Sequence, residues 1–565
     1  MALYVVLSHN NDFIHFSGTR SVHESLIFLQ TCGGVYYIHN INFDGCLIIH
    51  ALSEMNRTFR LLMNGMNIYS IKIDNIEFRC SYKLLPQPLH IIGSDLVGLS
   101  KLPFPYKKYD GRNDTNEINA SLFNSDDEYQ RYCAIVGSTT WSDSYIGVYC
   151  ERDVEITLRF VKLYWSTMAI LSIKWPNKHY SASSISVWLF YSKYNAFKIS
   201  KYGCGRFEEY IRESYYGGRC EVFGNPYPGE IVHHYDYSGM YAQCMHEKYP
   251  YGVPYFCDTC LNVDIPGFYR IRWYSEHKYP ILPMHIEGKL MFCSGYGSGT
   301  YWYEEIKLFL ENGGKILEIC SGVLYPNTDY VLNDFISSLE KIRNLGGEYK
   351  TIGKLLINSF YGRMGMSEKN ESWKVVPKND NIEYIKKIDI GNISIVCEYL
   401  ELQHRTIGNI SIAAITTSKA RIKLYRGFLS VLQYGGRLLY CDTDSIFVSF
   451  SKKMLDINMG DIVFTIKDNA IINDCVFALP KSYSILDNKG WTTKIKGFSR
   501  NVISFNEFKT NFYSNKNIST LERSILRKNF ILKNHIYNKI LNISMYKKRT
   551  FDINKKDTLP IYKKQ

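Results

Sequence analysis

The sequence predicts a multidomain α/β protein. Three observations carry this. The chain has 565 residues and 45% hydrophobic composition, enough for more than one sizeable core. Its first 200 residues mix short apolar strands with helical spacing, and strands and helices alternate with turn signals from 231 to 500. A change of composition near Lys201–Arg206, with two glycines and a cysteine, marks a domain junction. A charged fraction of 21% excludes global disorder. No run of 18 apolar residues occurs, so no membrane span is expected. The opening MALYVVLSHNNDF has no basic stretch before an apolar block and reads as neither signal nor transit peptide. Fifteen cysteines, an odd number without a secretory signal, predict reduced thiols. The pair Cys257 and Cys260 lacks a second pair at zinc-site spacing and reads as incidental. The 67 Lys and Arg against 54 Asp and Glu give a net charge of +13, which suits a polyanionic partner. Tyr occurs 46 times, a bias expected of an AT-rich coding template; stacking on bases can account for a few of these positions.

Taken in order, Val35–Ile38 reads as a short strand leading into Asn40 and Asp44. Val154, Leu158, Val161 and Trp165 recur at helical spacing, predicting a helix over 151–165. From Ile231 an apolar stretch reads as a buried strand that delivers Asp236 to its end, followed by a Gly239 turn and Tyr241. Val331, Phe335, Leu339 and Ile342 form a helical face, and Gly346-Gly347 separates it from a second helix. On that second helix, at about 100° per residue, Lys350, Lys354, Asn358 and Tyr361 share one stripe about 80° wide. Such a face suits a triphosphate, although by itself it could equally be a solvated lysine face. Over Arg437–Val448 two apolar runs flank Asp442-Thr443-Asp444, which reads as a hairpin with the acids at its turn. Two carboxylates so close repel unless a cation intervenes, and magnesium commonly takes one or two carboxylates plus substrate phosphates. The alternative is a turn whose acids make local hydrogen bonds. Carboxylates for divalent metal and a cationic helix for phosphates are together the parts of two-metal nucleotidyl transfer. The tail beyond about 500 is basic, with clusters at Lys547–Arg549 and Lys555–Lys556 that fit a nucleic-acid groove.

In order and wording these segments resemble motifs A, B and C of family B DNA polymerases: Asp236–Ala242, Lys354–Gly362 and Tyr440–Ser445. Tyr215–Gly218 is similar to the family's YxGG element, and Lys481–Tyr483 to its KxY element. The gaps of 118 residues from Asp236 to Lys354 and 88 from Lys354 to Asp442 resemble those of protein-primed members that serve linear phages and plasmids, as does Gly217–Phe223. The resemblance implies an RNase H-like exonuclease domain, incomplete here, followed by a right-hand palm, fingers and thumb. It divides the chain into an exonuclease-like domain at 1–200 and a junction with the first palm segment at 201–261. A first insertion, contacting terminal protein and DNA, follows at 262–330, then fingers at 331–365. A second insertion follows at 366–410, the rest of the palm at 411–500 and a basic thumb at 501–565.

The same resemblance implies roles. Asp236, Asp442 and Asp444 would be catalytic, with Asp236 and Asp444 holding two Mg²⁺ ions. Tyr241, Lys350, Lys354, Asn358 and Tyr361 would bind the nucleotide. Tyr215, Gly217 and Gly218 would hold template, and Lys481 and Tyr483 primer. Partners would be template and primer DNA, deoxynucleoside triphosphates and a terminal protein, with no membrane. The setting would be a linear plasmid of a mitochondrion. Motif A departs from the family pattern at Gly239 and Ala242, where Ser and Pro are usual, and Gly239 is expected to loosen the turn over the triphosphate. Asn40 with Asp44, and Tyr149 with Asp153, resemble the second and third exonuclease motifs, but the first motif has no counterpart. Editing is therefore expected to be weak or absent, as in an N-terminally truncated reading frame, and a decayed remnant that only binds nucleic acid is the alternative function. A reverse transcriptase would carry adjacent aspartates where this chain has Asp442-Thr443-Asp444.

Overall fold

In the computed structural model, residues 4–105, 118–123, 125–138, 144–174, 178–201, 203–366, 371–378, 383–399, 407–450, 464–466, 472–498, 501–528, 530–542 and 546–564 are described. The chain opens with a hairpin, Tyr4–His9 against Asp12–Ser17. Its turn uses Asn10 and Asn11 at φ 52° and 72°, a conformation asparagine tolerates better than most residues. A four-stranded sheet follows in the order Gly34–Ile38, Ile76–Cys80, Asn67–Ile73, Arg60–Asn64. The first pair is parallel and the others antiparallel. Helices Ser21–Cys32 and Asp44–Glu54 bury Leu26, Leu29, Ile49 and Leu52 in a core shared with Ile68, Ile71 and Phe78 of that sheet. The helix expected over 151–165 runs from Ser144 to Ile170 and buries Ile156, Phe160, Tyr164 and Met168.

Among the described residues the central sheet has eight strands. Seven lie in the order Gly490–Lys494, Ser482–Asp487, Ile472–Leu479, Ile231–Tyr237, Ser445–Phe450, Arg437–Asp442, Cys220–Val222. Phe464–Ile466 pairs beside Ile231–Tyr237 as the eighth. The 24-residue helix Ile410–Gln433 packs along this sheet, with Ile422, Leu424, Phe428 and Val431 in one core with Leu438, Ile446 and Val448. The expected helical hairpin forms as Asn333–Asn344 and Gly347–Met364. Both of its glycines have positive φ, 78° and 48°, which lets the chain reverse within two residues. Phe335, Leu339, Ile342, Ile352, Leu356 and Phe360 join Phe160 and Tyr164 of the long N-terminal helix in one core, so the hairpin is seated on the N-terminal unit.

Two further sheets are built largely from residues 267–324 and 371–399. Lys315–Leu324, Gly267–Ser275 and Ser294–Trp302 form an antiparallel sheet, extended at one edge by Tyr255–Cys257 and at the other by Tyr562–Lys563. Glu371–Pro377, Ile393–Tyr399 and Lys386–Ile390 form the other; part of 366–410 lies outside the described residues. Its Ile388, Ile390, Ile395 and Cys397 complete the core of the N-terminal sheet. The Ser53 hydroxyl donates to the Ile390 carbonyl (2.8 Å) and accepts from the Asn392 N–H (3.1 Å).

The tail differs from its basic-groove reading. Helix Phe505–Tyr513 packs Phe508 and Phe512 against Val476 and Ala478 of the central sheet, the hairpin Ile518–Lys528/Ile531–Leu541 follows, and residues 546–564 return to the central sheet. Arg549 is fully buried and donates to the Thr558 hydroxyl, the Thr558 carbonyl and the Lys278 carbonyl. Lys548 donates to the Cys220 carbonyl, Lys555 to Phe512 and Lys556 to Pro226. These cations satisfy main-chain acceptors, because the returning segment lays their stems across the edge of the central sheet; Lys547 remains exposed. All fifteen cysteines are free thiols, and Cys260 donates weakly to the Cys257 carbonyl (3.5 Å). Among the described residues no helix is long and apolar enough to cross a membrane.

Candidate active site

The carboxylates are brought together by strand pairing. Asp236 stands opposite Ser445 in the antiparallel ladder, and Ser445 stands opposite Asp442 across the hairpin. The Tyr237 N–H donates to the Asp444 carbonyl (2.8 Å), locking the two segments end to end. Thr443 takes φ 64° at the turn, and its N–H donates to the Arg219 carbonyl (2.8 Å). Gly218 makes room for that turn: a Cβ there would lie 2.9 Å from Thr443 Cγ2. Burial first, then the charges of Asp236 and Asp442, push the Asp444 carboxyl above its usual range, with Lys354 opposing.

Asp236 and Asp444 line a cleft of roughly 240 Å³ with Ser238, Gly239, Tyr241, Arg343, Lys354 and Asn358. Asp442 turns elsewhere, with Lys481 Nζ 3.5 Å from its Oδ1. Lys350, Lys354 and Asn358 are exposed on the second hairpin helix, as its polar stripe requires, whereas Ile352, Leu356, Ile357 and Phe360 are buried behind them. Tyr241 stacks on Tyr361, with centroids 4.3 Å apart and rings 18° from parallel. Arg343 was not legible in the sequence as a site residue. It closes the first hairpin helix, and its guanidinium reaches Gly239. Gly239 adopts φ +68°, and a Cβ built there would sit 2.9 Å from Arg343 Nη1. The glycine admits the arginine, which fills the space a side chain would take.

Two buried ion pairs lie beside Tyr215–Gly218. Arg421 and Glu305, 3% and 1% exposed, pair through Nε–Oε1 and Nη2–Oε2 contacts of 2.7 Å each. Arg421 Nη1 also donates to the Tyr216 carbonyl (2.7 Å) and the Gly217 carbonyl (3.2 Å), fixing the YxGG segment. Arg219 pairs with fully buried Glu221 (2.6 Å) and donates to the Pro280 carbonyl. Tyr215 is half-buried, in a space left by Gly365, where a Cβ would lie 2.7 Å from its ring; Gly217 is exposed. Lys481 is exposed at φ 61°, with its N–H on the Tyr440 hydroxyl (3.0 Å). Tyr483 is packed among Tyr440, Phe447 and Phe477, with the Lys494 ammonium 5.6 Å from its ring centre.

In the N-terminal unit Asp44 and Asp153 approach within electrostatic range. Burial, and then the Asp153 charge, raise the Asp44 carboxyl, although Asp44 keeps an exposed side-chain surface. Burial also raises Asp153, against the pull of Lys101, which pairs with it at 2.9 Å. Tyr149 is buried beneath Phe104, and Lys101 Nζ lies 5.0 Å from its ring. Asn40 sits at φ 61° and accepts from Asn42. Asp12 is exposed on the opening hairpin. Among the described residues no group of three His, Cys, Asp or Glu stands close enough to hold a metal by itself. Each centre therefore offers a carboxylate pair. In the palm this donor set fits a hard divalent cation that takes its remaining oxygens from a bound triphosphate.

Comparison with known proteins agrees with this geometry. The family described as DNA polymerase type B, organellar and viral, matches residues 29–429. A probable DNA polymerase of Neurospora intermedia is 22% identical over 89% of this chain and 57% of its own length. One of Agaricus bitorquis is 26% identical over 62% of this chain and 48% of its own. The chain thus spans about half the length of these fungal relatives. A DNA polymerase of Bacillus phage M2 is 25% identical over 76% of this chain and 73% of its own. Phi29 DNA polymerase, solved with primer-template DNA and incoming nucleotide, superposes with a TM-score of 0.66 over 94% of both chains at 16% identity, a likeness of fold. That fold is one of an exonuclease domain with palm, fingers and thumb, and this chain shares it over nearly its whole length. With its family match covering most of the chain and its acid hairpin, cationic helix and palm strand meeting at one cleft, this chain belongs to the organellar and viral type B DNA polymerases.

Proposed function

We propose that this chain adds deoxynucleotides to a primer 3′-hydroxyl under template direction. One observation carries the reading: Asp236 and Asp444, from segments far apart in sequence, face one cleft whose opposite wall bears Lys354, Arg343 and Asn358. Asp236 and Asp444 would hold two magnesium ions, which when bound lower the pKa of the attacking hydroxyl and neutralise the departing pyrophosphate. Lys350, Lys354 and Arg343 supply positive charge to the triphosphate, Arg343 through a fork that can grip two oxygens. The Tyr241–Tyr361 stack gives a rigid aromatic floor for the sugar, which limits room for a 2′-hydroxyl. Initiation on a hydroxyl of a terminal protein, held by the first insertion, and service to a linear mitochondrial plasmid complete the proposal. The phage and fungal relatives and the 46 tyrosines, a bias an AT-rich coding template would give, support them.

Purified chain with Mg²⁺, four deoxynucleotides and a primed template is expected to extend the primer. Binding without extension would instead identify a nucleic-acid-binding remnant. A mismatched 3′ end tests editing in the same tube. With Lys101 on Asp153 and two recognisable carboxylates, excision is expected to be negligible, and brisk excision would contradict this. Recovery of the chain outside mitochondria on fractionation would count against the proposed setting. Gly239→Ser should push Arg343 out of the cleft and raise the nucleotide KM about three- to tenfold. An unchanged KM would show that Arg343 does not depend on the glycine.

A further inference from the structure

We propose that His246 is a positioning residue that fixes the fingers against the palm, an inference that rests on the polymerase reading above. His246 caps the end of the short helix Met240–Met245, whose other end carries Gly239 and Tyr241 into the cleft. Its two ring nitrogens both meet the first fingers helix: Nδ1 lies 2.7 Å from Asn333 Oδ1, and Nε2 lies 2.9 Å from Glu340 Oε2. Asn333 and Glu340 are seven residues apart, two turns along one face, so a single imidazole spans two turns. Glu340 and Arg343 are neighbours at i and i+3 on that helix. The short helix and the fingers helix are therefore joined at two points. At one, Arg343 fills the space over Gly239; at the other, His246 bridges Asn333 and Glu340.

The bridge survives a change in ring charge. With both nitrogens protonated, each donates to an oxygen. With a neutral ring, Nε2–H still donates to Glu340, while the Asn333 amide can turn to donate to Nδ1. The charges on the two residues after His246 are committed elsewhere. Glu247 pairs with Lys419 and Lys423, and Lys248 lies over the Tyr330 ring. Glu340 thus answers to His246. Behind the bridge, Phe335, Ile336, Leu339 and Ile342 are buried in the shared core, so the helix cannot swing without breaking either that packing or the bridge. Lys350 and Lys354 follow on the next helix, two glycines later. Their distance from Asp236 and Asp444 is set by where His246 holds this one.

The test is steady-state primer extension by the whole chain. His246→Ala is expected to raise the deoxynucleotide KM about fivefold or more while kcat stays within about twofold, because the chemistry's own groups are untouched. His246→Gln, which can still present an amide donor to Glu340, is expected to recover most of the loss. Glu340→Gln should raise KM as well, and the double variant should be no worse than the poorer single. A KM unchanged in His246→Ala, or effects of the two substitutions that multiply independently, would overturn the bridge while leaving the polymerase reading intact. Parallel loss of KM and kcat with a lowered melting point and no recovery by Gln would make His246 merely structural and overturn it too. A wild-type chain that extends no primer would refute the polymerase reading, and the role of His246 with it.

Discussion

Asp444→Asn is expected to cut primer extension by about a thousandfold or more, since an anionic ligand beside the reacting phosphate is lost. DNA affinity should hardly change. The substitution preserves size and shape, and the main-chain bonds that place this residue, from the Tyr237 N–H and to the Asp442 carbonyl, do not involve its side chain. The same variant should melt no lower than the wild type without metal. In the fold the Asp444 carboxyl is raised by burial and by the Asp236 and Asp442 charges. Its ionised form is therefore disfavoured in the native state. That destabilisation is absent below the unfolded-state pKa, sets in as pH rises towards the raised value, and is complete above it. The variant's advantage in metal-free melting should accordingly appear near neutral pH and vanish in acid. Single-turnover extension, DNA-binding anisotropy and melts across that pH range measure the three effects. Extension within tenfold of wild type would remove Asp444 from the chemistry.

Glu305→Ala is expected to destabilise the palm by about 3–5 kcal/mol, because it leaves Arg421 charged and unpaired in a buried site. Glu305 accepts two bonds from Arg421 and one from Ser418, and both members of the pair are almost fully enclosed. The loss should also reach function. The freed guanidinium holds the Tyr216 and Gly217 carbonyls, so the YxGG segment loses its anchor. A double replacement, Glu305→Met with Arg421→Leu, separates the two consequences. Removing both charges should restore much of the stability but not the carbonyl contacts, leaving a folded chain with weakened DNA binding. Denaturant melts and anisotropy on the two variants report this, and equal stability of Glu305→Ala and wild type would show that the pair is not needed.

The parts of the site that local sequence could reveal were those written in consecutive residues. The strand ending near Asp236, the Asp442–Asp444 turn and the stripe from Lys350 to Tyr361 each follow from the period of one element. What could not be read was made by tertiary approach. Arg343 looks like an ordinary helix-end cation until Gly239, over a hundred residues earlier, opens a space for it. Glu305 and Arg421 are 116 positions apart, and neither announces a partner. The basic tail misled for the related reason that charge in a sequence does not say where the side chain goes; Arg549 is among the most enclosed residues of the protein. Ser53 is a helical serine like any other until Ile390 and Asn392 arrive to use its hydroxyl both ways.

The interleaving of the central sheet bears on how the molecule comes to exist at all. Cys220 and Tyr440, 220 positions apart, touch across adjacent strands, and Ile231–Tyr237 has its neighbours in 445–450 and beyond. A nascent chain that has reached residue 400 has made two of the sheet's eight described strands and none of its pairings. Such distant partners close slowly. Until they do, the apolar strand Ile231–Tyr237 must wait with its edges open, an exposure that calls for a chaperone or for shelter by the helices already folded upstream.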